Sequence, residues 1–335
     1  MQAAIYGLAG TEITPEERDF FRDADPAGFI LFRRNCESRD QMRRMTDGLR
    51  NIAGRPEVPI LIDQEGGRVA RMKPPEWPAF PCGEAFDRLY QLAPSSAIEA
   101  ARVNARALAL MLNEVGVNVD WLPMLDVRQP GASDIVGDRA LGAEPMQVAA
   151  LGRAILDGLH SAGVLGVVKH IPGHGRALVD RHHELPVVDA GEEELAVDLE
   201  PFERLRNAAM GMTSHLLYKQ WDPDRPASQS PIVIHDIIRQ RIGFDGFLMS
   251  DDIGMEALAG DHGQRAAACV AAGCDVALHC DGKMENMLSV AEAVPPLSQE
   301  AEARLSRAMA MTFTPEDGMD FAAAVEKRDA LLALA

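Results

Sequence analysis

Eight short apolar runs recur along the 335-residue chain, each bounded by Gly, Pro or Asp. They are Ala3–Leu8, Gly28–Phe32, Val58–Ile62, Val117–Trp121, Val164–Lys169, Met210–Ser214, Gly246–Ser250 and Asp275–His279. The runs are apolar throughout rather than alternating, so both faces of each strand must be covered, as in a parallel sheet clad in helices. A parallel strand cannot reach its neighbour by a hairpin and needs a crossover, usually helical. Helical patterns lie between the runs, at Ser95–Glu114, Met146–Ala162, Leu195–Ala208, Ile234–Ile242 and Gly263–Ala272. Eight strand–helix units predict an α/β fold, a (β/α)8 TIM-type barrel, with a doubly wound open sheet as the alternative. Residues 1–335 are expected to form a single barrel domain, with a C-terminal helical segment from about 295 packing on it. Two long connections interrupt the rhythm, from about Ala70 to Pro94 and from about His170 to Leu185. Long connections of this kind often carry function.

Composition narrows the partners. Apolar residues make up 47% and charged residues 25%, enough apolar matter for a full core. Lys and Arg number 33 against 51 Asp and Glu, a net charge of −18. Such a balance excludes a surface built to bind nucleic acid, which needs a basic face to displace counterions, and it argues equally against docking on an anionic membrane. No stretch approaches the roughly 18 consecutive apolar residues of a membrane span. The segment Met1–Gly10 has no basic region ahead of its apolar run and reads as a strand, not a signal peptide. Five cysteines without a C-x-x-C pair fit free thiols in a reducing compartment, so a cytoplasmic protein is expected.

Polar residues gather where the predicted strands end. Asp63 and Glu65 follow the third strand, Asp126 the fourth, and Lys169 and His170 close the fifth. His215 ends the sixth, Asp251 and Asp252 the seventh, and His279 the eighth. In a barrel these ends share one rim, the rim on which active sites are built.

Four segments on that rim carry chemistry. In Lys169-His170-Ile171-Pro172-Gly173-His174-Gly175 the histidines stand four apart, a metal-ligand spacing on a helix. Pro172, Gly173 and Gly175 disfavour that helix, so a loop is expected. Lys169 reads either as a buried ion-pair partner or as a donor to substrate oxygens. In Asp180-Arg181-His182-His183 a carboxylate two residues from a histidine can fix its tautomer and raise its basicity. The two acids of Ser250-Asp251-Asp252 point to opposite sides of a strand. One is expected to face the barrel mouth and the other to brace the next helix. In the charged stretch Ile62–Arg71, Asp63 can accept from two sugar hydroxyls and Arg71 can bind an anionic oxygen. Its Gly66-Gly67 pair lacks the spacing of a phosphate loop.

Together these segments resemble glycoside hydrolase family 3, and within it the single-barrel bacterial β-N-acetylglucosaminidases of peptidoglycan recycling. The matching stretches are IDQEGGRVAR (62–71), GDRALG (137–142), KHIPGHG (169–175), the Asp180-x-His182 pair, TSHLLY (213–218), PASQS (226–230) and GFDGFLMSDDIGM (243–255). The resemblance implies that Asp251 is the nucleophile and His182 the acid/base, supported by Asp180. It places Asp63, Arg71, Arg139, Lys169 and His170 against substrate. The chain departs from the family's pattern at Arg181, where a small hydroxylic residue is usual, and at His183 and Glu184.

The function so implied is a retaining exo-β-N-acetylglucosaminidase acting on peptidoglycan-derived muropeptides through a covalent glycosyl-Asp intermediate. No metal or organic cofactor is expected. The expected partner is a small glycan substrate, with no nucleic acid and no membrane, and a monomer is expected. Arg71, Arg139 and Lys169 are expected to form a local basic pocket. The alternatives are a β-glucosidase or β-xylosidase on the same barrel, a metal-dependent barrel hydrolase using His170, His174, His182 and Asp251, and a non-catalytic sugar-binding barrel.

Overall fold

The computed structural model describes residues 1–131, 135–177, 185–315 and 317–335. Eight parallel strands close into a barrel in sequence order: β1 (Gln2–Gly7), β2 (Pro26–Leu31), β3 (Ile60–Ile62), β4 (Val119–Asp120), β5 (Leu165–Ile171), β6 (Met210–Thr213), β7 (Phe247–Asp252) and β8 (Val276–His279). Each coincides with one of the eight apolar runs, and β8 pairs with β1 to complete the ring. The open doubly wound sheet is thereby excluded.

Helices wrap the outside: α1 (Pro15–Ala24), α2 (Arg39–Ala53), α3 (Gly83–Leu92), α4 (Pro94–Glu114), α5 (Pro145–His160), α6 (Glu192–Arg204), α7 (Val233–Ile242, wound as a π-helix), α8 (His262–Ala272), α9 (Met284–Ala293), α10 (Gln299–Met309) and α11 (Phe321–Leu332). Thr14, Ser38, Asp261, Ser298 and Asp320 cap their helices, each accepting from a backbone N–H of the first turn. The expected long connection from Ala70 to Pro94 is shorter than read, because α3 occupies its second half. The prolines at 74, 75, 78 and 81 mask that helix in the sequence, since they precede it and give the stretch a loop's composition.

Strand residues split into two packed layers. Ile5, Leu61, Val119, Val167, Met249, Val276 and Leu278 fill the barrel, while Tyr6, Phe29, Ile62, Val168, Leu248 and Ala277 face the helices. This two-sided burial explains the unbroken apolar runs. Burying one such side chain stabilises the fold by about 1.5–3 kcal/mol. Leu297 and the α10 residues Ala301, Leu305, Ala308 and Met309 join the interior layer, so α10 closes one end of the barrel. That leaves the opposite end, where the strands finish, as the open rim. Among the described residues no helix is long and apolar enough to cross a membrane.

A second, minor sheet was not legible in the sequence. Val187–Val188 and Leu217–Tyr218 pair in parallel outside the barrel. They tie the return of the long loop after β5 to the exit of β6, and Tyr218 Oη also donates to the Gly173 carbonyl at 2.6 Å.

Candidate active site

Asp63 is the first residue after β3, and the loop behind it is folded so that Arg71 returns to it. Buried Gln64 does this: its side-chain oxygen accepts from the backbone N–H of Arg71 and Met72 at 2.8 and 2.9 Å, and its amide donates to the Met72 carbonyl at 2.9 Å. The turn inside that loop passes through Gly66 at φ +103°, where a Cβ would stand 2.2 Å from the Pro81 carbonyl oxygen. The glycine pair therefore serves a tight turn against Pro81 and Cys82. With the loop so closed, Arg71 Nη2 donates to Asp63 Oδ2 at 2.9 Å, and its guanidinium lies 5.1 Å from the Phe32 ring centroid.

Lys169, on β5, reaches the same carboxylate. Its Nζ lies 2.9 Å from Asp63 Oδ1 and 2.6 Å from Glu65 Oε1, and only 2% of the side chain is exposed. Glu65 in turn receives both prongs of Arg139, Nε at 2.8 Å and Nη2 at 2.7 Å. Arg139 comes from a short 3-10 turn, Gly137–Arg139, in the β4–α5 connection. Five charged residues thus form one chain: Arg71, Asp63, Lys169, Glu65, Arg139.

The electrostatics follow from the pairing. Burial pushes the Asp63 carboxyl up, but Lys169 and Arg71 outweigh it and hold the group at about 2. Burial likewise opposes ionisation of Glu65, and Lys169 and Arg139 bring it below its ordinary value. Burial opposes the Lys169 ammonium, yet Asp63 and Glu65 raise it above its usual range. The expected basic pocket is therefore corrected: three cations meet two carboxylates, and the excess is a single charge. A buried cation without a partner is costly, so these donors arrive already paired. Glu65 Oε1 accepts from both Lys169 and Arg139, whereas each Asp63 oxygen has one of these charged donors and keeps a second lone pair for a hydroxyl.

His170 and His174 lie on the next stretch of rim. His170 Nδ1 stands 2.7 Å from Asp126 Oδ2, and Asp126 Oδ1 accepts the His174 backbone N–H at 2.6 Å. Asp126 is fully buried; burial raises its carboxyl, but His170 and His174 hold it at about 2. A hydrogen bond from His170 Nδ1–H to that carboxylate leaves Nε2 to face outward. The Lys169–His170 and Ile171–Pro172 peptides are both cis. Gly175 is required by packing, since a Cβ there would stand 1.8 Å from the Val127 carbonyl oxygen. The metal-ligand spacing of His170 and His174 is not realised: one ring is bound to Asp126, and among the described residues the metal-ligand cluster lies elsewhere.

Asp251 and Asp252 close β7. Asp252 takes the bracing role, its Oδ1 accepting the Gly254 N–H at 2.9 Å, and burial raises its carboxyl. Its backbone carbonyl accepts from His215 Nε2 at 3.0 Å, while His215 Nδ1 meets Ser228 Oγ at 2.6 Å. A carbonyl only accepts, so His215 carries its proton on Nε2, and burial keeps the ring below its ordinary value and neutral. This ring ties the end of β6 to the backbone that bears Asp251. The Asp251 charge acts on His174, on His215 and on Cys280, and Cys280 is also within reach of Asp63. Asp63 follows β3 and Asp251 lies at the end of β7, so both belong to the same rim of the closed barrel.

Asp63, Lys169, His170 and Asp251 lie at strand ends on the rim, and Arg71 and Arg139 reach it through their pairs with Asp63 and Glu65. Asp180 and His182 lie outside the described residues. Two contributors were under-read in the sequence: Glu65, the shared partner of Lys169 and Arg139, and Asp126, the brace of His170. Their charge density was visible, but not their long-range partners.

The described strand ends of this parallel barrel present paired carboxylates, guanidiniums and imidazoles, a donor and acceptor set suited to a polyhydroxylated ligand. The model of the glycosyl hydrolase family 3 N-terminal domain matches residues 4–311, and the chain belongs to this family, so it is a glycosidase. A β-hexosaminidase of Stenotrophomonas maltophilia is 37% identical over 281 residues, 82% of either chain. One from Methylococcus capsulatus is 37% identical over 301 residues, covering 87% of this chain and 86% of its own. Among solved structures, NagZ from Neisseria gonorrhoeae in complex with N-trifluoroacetyl-D-glucosamine superposes with a TM-score of 0.89 at 31% identity, over 100% of this chain and 98% of that one.

Proposed function

We propose that this glycosidase removes terminal β-linked N-acetylglucosamine from peptidoglycan-derived muropeptides with retention of configuration. The observation that carries the proposal is the placement of Asp251 at the end of β7, on the same barrel rim as the Asp63–Lys169–Glu65 chain at the ends of β3 and β5. The β-hexosaminidase names of the relatives and the amino-sugar complex of the Neisseria protein support the sugar.

In this reading Asp63, Arg71, Arg139, Lys169 and His170 bind the sugar's hydroxyl and acetamido oxygens. Asp251 attacks the anomeric carbon; the C–O bond to the leaving group breaks as a bond to Asp251 forms. His182, supported by Asp180, gives its proton to the leaving oxygen and then takes one from the water that releases the sugar. Two inversions leave the configuration unchanged. A histidine can replace the usual second carboxylate because it titrates near neutral pH. No step calls for a metal or organic cofactor. A monomer in the cytoplasm, serving cell-wall recycling, is the setting that fits this chemistry.

The test is a 2-fluoro-N-acetylglucosamine-type donor with a good leaving group. Peptide mapping by mass spectrometry is expected to find the sugar on Asp251, and a label on any other residue overturns the assignment. Turnover of nitrophenyl N-acetylglucosaminide is expected to exceed that of the glucoside and xyloside; the reverse order sinks the proposed sugar.

A further inference from the structure

A second group of chemically competent side chains lies outside the barrel mouth. His279 ends β8, and its neighbours Leu278 and Cys280 face the barrel interior while its own ring turns outward, 6.0 Å from the Tyr6 ring centroid. It is 0% exposed, yet among the described residues neither ring nitrogen makes an aligned hydrogen bond. Such a buried histidine is unusual, because a buried polar atom left unsatisfied costs about 1–3 kcal/mol. His262, the first residue of α8, stands beside it with ring centroids 5.2 Å apart, and its Nδ1 is also buried without a partner. Asp281 completes the group. Its Oδ1 lies 3.1 Å from His279 Nε2 but outside hydrogen-bond alignment.

We propose that His262, His279 and Asp281 form a binding site for a divalent transition-metal ion of the zinc class. One ligand atom from each lies within 4.8 Å of the other two. Ligands on a tetrahedral zinc stand about 3.4 Å apart, so closure by at most about 1.4 Å completes the shell, with water in the fourth position. Two imidazoles and a carboxylate suit zinc-class ions better than the all-oxygen preference of calcium or magnesium. The carboxylate is already oriented from behind, its Oδ1 accepting the Lys283 N–H at 2.8 Å and its Oδ2 the Asn286 amide at 2.5 Å. Such outer partners are the usual support of a metal ligand. Arg34, the nearby cation, donates to the Leu8 and Cys280 carbonyls. Bound metal clamps the start of α8 to the end of β8, bracing the rim strand next to β7 without touching the catalytic mouth. The site is independent of which sugar the enzyme cleaves.

The experiment uses the full chain stripped with a chelator and titrated with zinc by calorimetry. His262→Gln and Asp281→Asn are the informative variants, because both residues are only half-buried and His279→Gln risks the fold. Asp251→Asn removes the rim carboxylate as a control. The expected result is that wild type and Asp251→Asn share one zinc equivalent that His262→Gln and Asp281→Asn lose or bind at least ~10-fold more weakly. Zinc is then expected to raise the melting temperature of wild type and not that of His262→Gln. If His262→Gln and Asp281→Asn retain all the zinc that wild type takes up, or wild type takes up none, the proposal is overturned.

Discussion

Lys169 Nζ lies 2.6 Å from Glu65 Oε1, and the same ammonium meets Asp63 at 2.9 Å, so one buried cation couples two carboxylates that the chain supplies within three residues. Removing it leaves Asp63 only Arg71 and Glu65 only Arg139, with no cation between the two carboxylates. Lys169→Met is therefore expected to cost about 3–5 kcal/mol of stability, the usual loss when one member of a buried ion pair is deleted. Glu65→Gln leaves Lys169 its Asp63 partner and is expected to cost less. Urea unfolding of the two variants checks the order; equal losses would show that Glu65, not Lys169, is the centre of the chain.

The depressed carboxyls at Asp63 and Asp126 set an acid limit. Both are held at about 2 against an ordinary value of 3.8. A carboxyl whose pKa falls on folding adds stability that is fully present above the unfolded value and disappears as pH drops through the folded one. Stability is thus expected to decline between about pH 4 and pH 2, with Asp126 alone accounting for about 2 kcal/mol. Asp126→Asn is expected to be less stable at pH 6 and to show a shallower decline below pH 4. Denaturant midpoints at stepped pH measure this, and an unchanged slope would exclude Asp126 as a contributor.

His215 is a positioning residue in this geometry. Its Nε2–H holds the Asp252 carbonyl at 3.0 Å, one peptide from Asp251, and its Nδ1 is met by Ser228. Loss of that tie lets the backbone of the proposed nucleophile shift, and a displacement of about 1 Å at a reacting centre can cost 100-fold. His215→Phe fills the space but cannot donate, so kcat is expected to fall roughly 10- to 100-fold with a smaller change in KM. A purely structural role would instead lower the melting temperature and leave kcat of the folded fraction intact. Burial disfavours the charged form of His215, so the pH profile of the residual activity is expected to keep its shape.

The barrel was legible because its strands are buried on two faces and therefore unbroken in apolar character. Asp63, Lys169, His170 and Asp251 were legible because strand ends converge by topology, whatever the loops do. Glu65 was harder to read: its bidentate partner Arg139 lies 74 residues away, and no local pattern links them. The Gln64 staple that returns Arg71 to Asp63 is equally silent in sequence, since a buried glutamine looks like any polar loop residue. Ala70–Pro94 has the composition of a loop because its prolines cluster ahead of α3. The group of His262, His279 and Asp281 has no motif spacing; only the closure of β8 beside α8 brings its members together.

The proposed acid/base has a signature that separates it from a binding role. If His182 delivers a proton to the leaving oxygen, its removal matters in proportion to how much the leaving group needs one. His182→Ala is expected to lower kcat/KM severely on a disaccharide or muropeptide, whose alkoxide leaves poorly. On a dinitrophenyl glycoside, which departs as a stable phenolate, the first step is expected to survive nearly intact and the glycosyl-enzyme to accumulate, because no base then activates water. Azide is expected to restore turnover of that substrate by attacking the intermediate without needing a base. Asp180→Asn is expected to lie between wild type and His182→Ala, since the imidazole remains but loses the carboxylate that raises its basicity. Steady-state and burst kinetics on the two leaving-group classes measure all of this, and equal losses on both classes would remove His182 from the proton-transfer role.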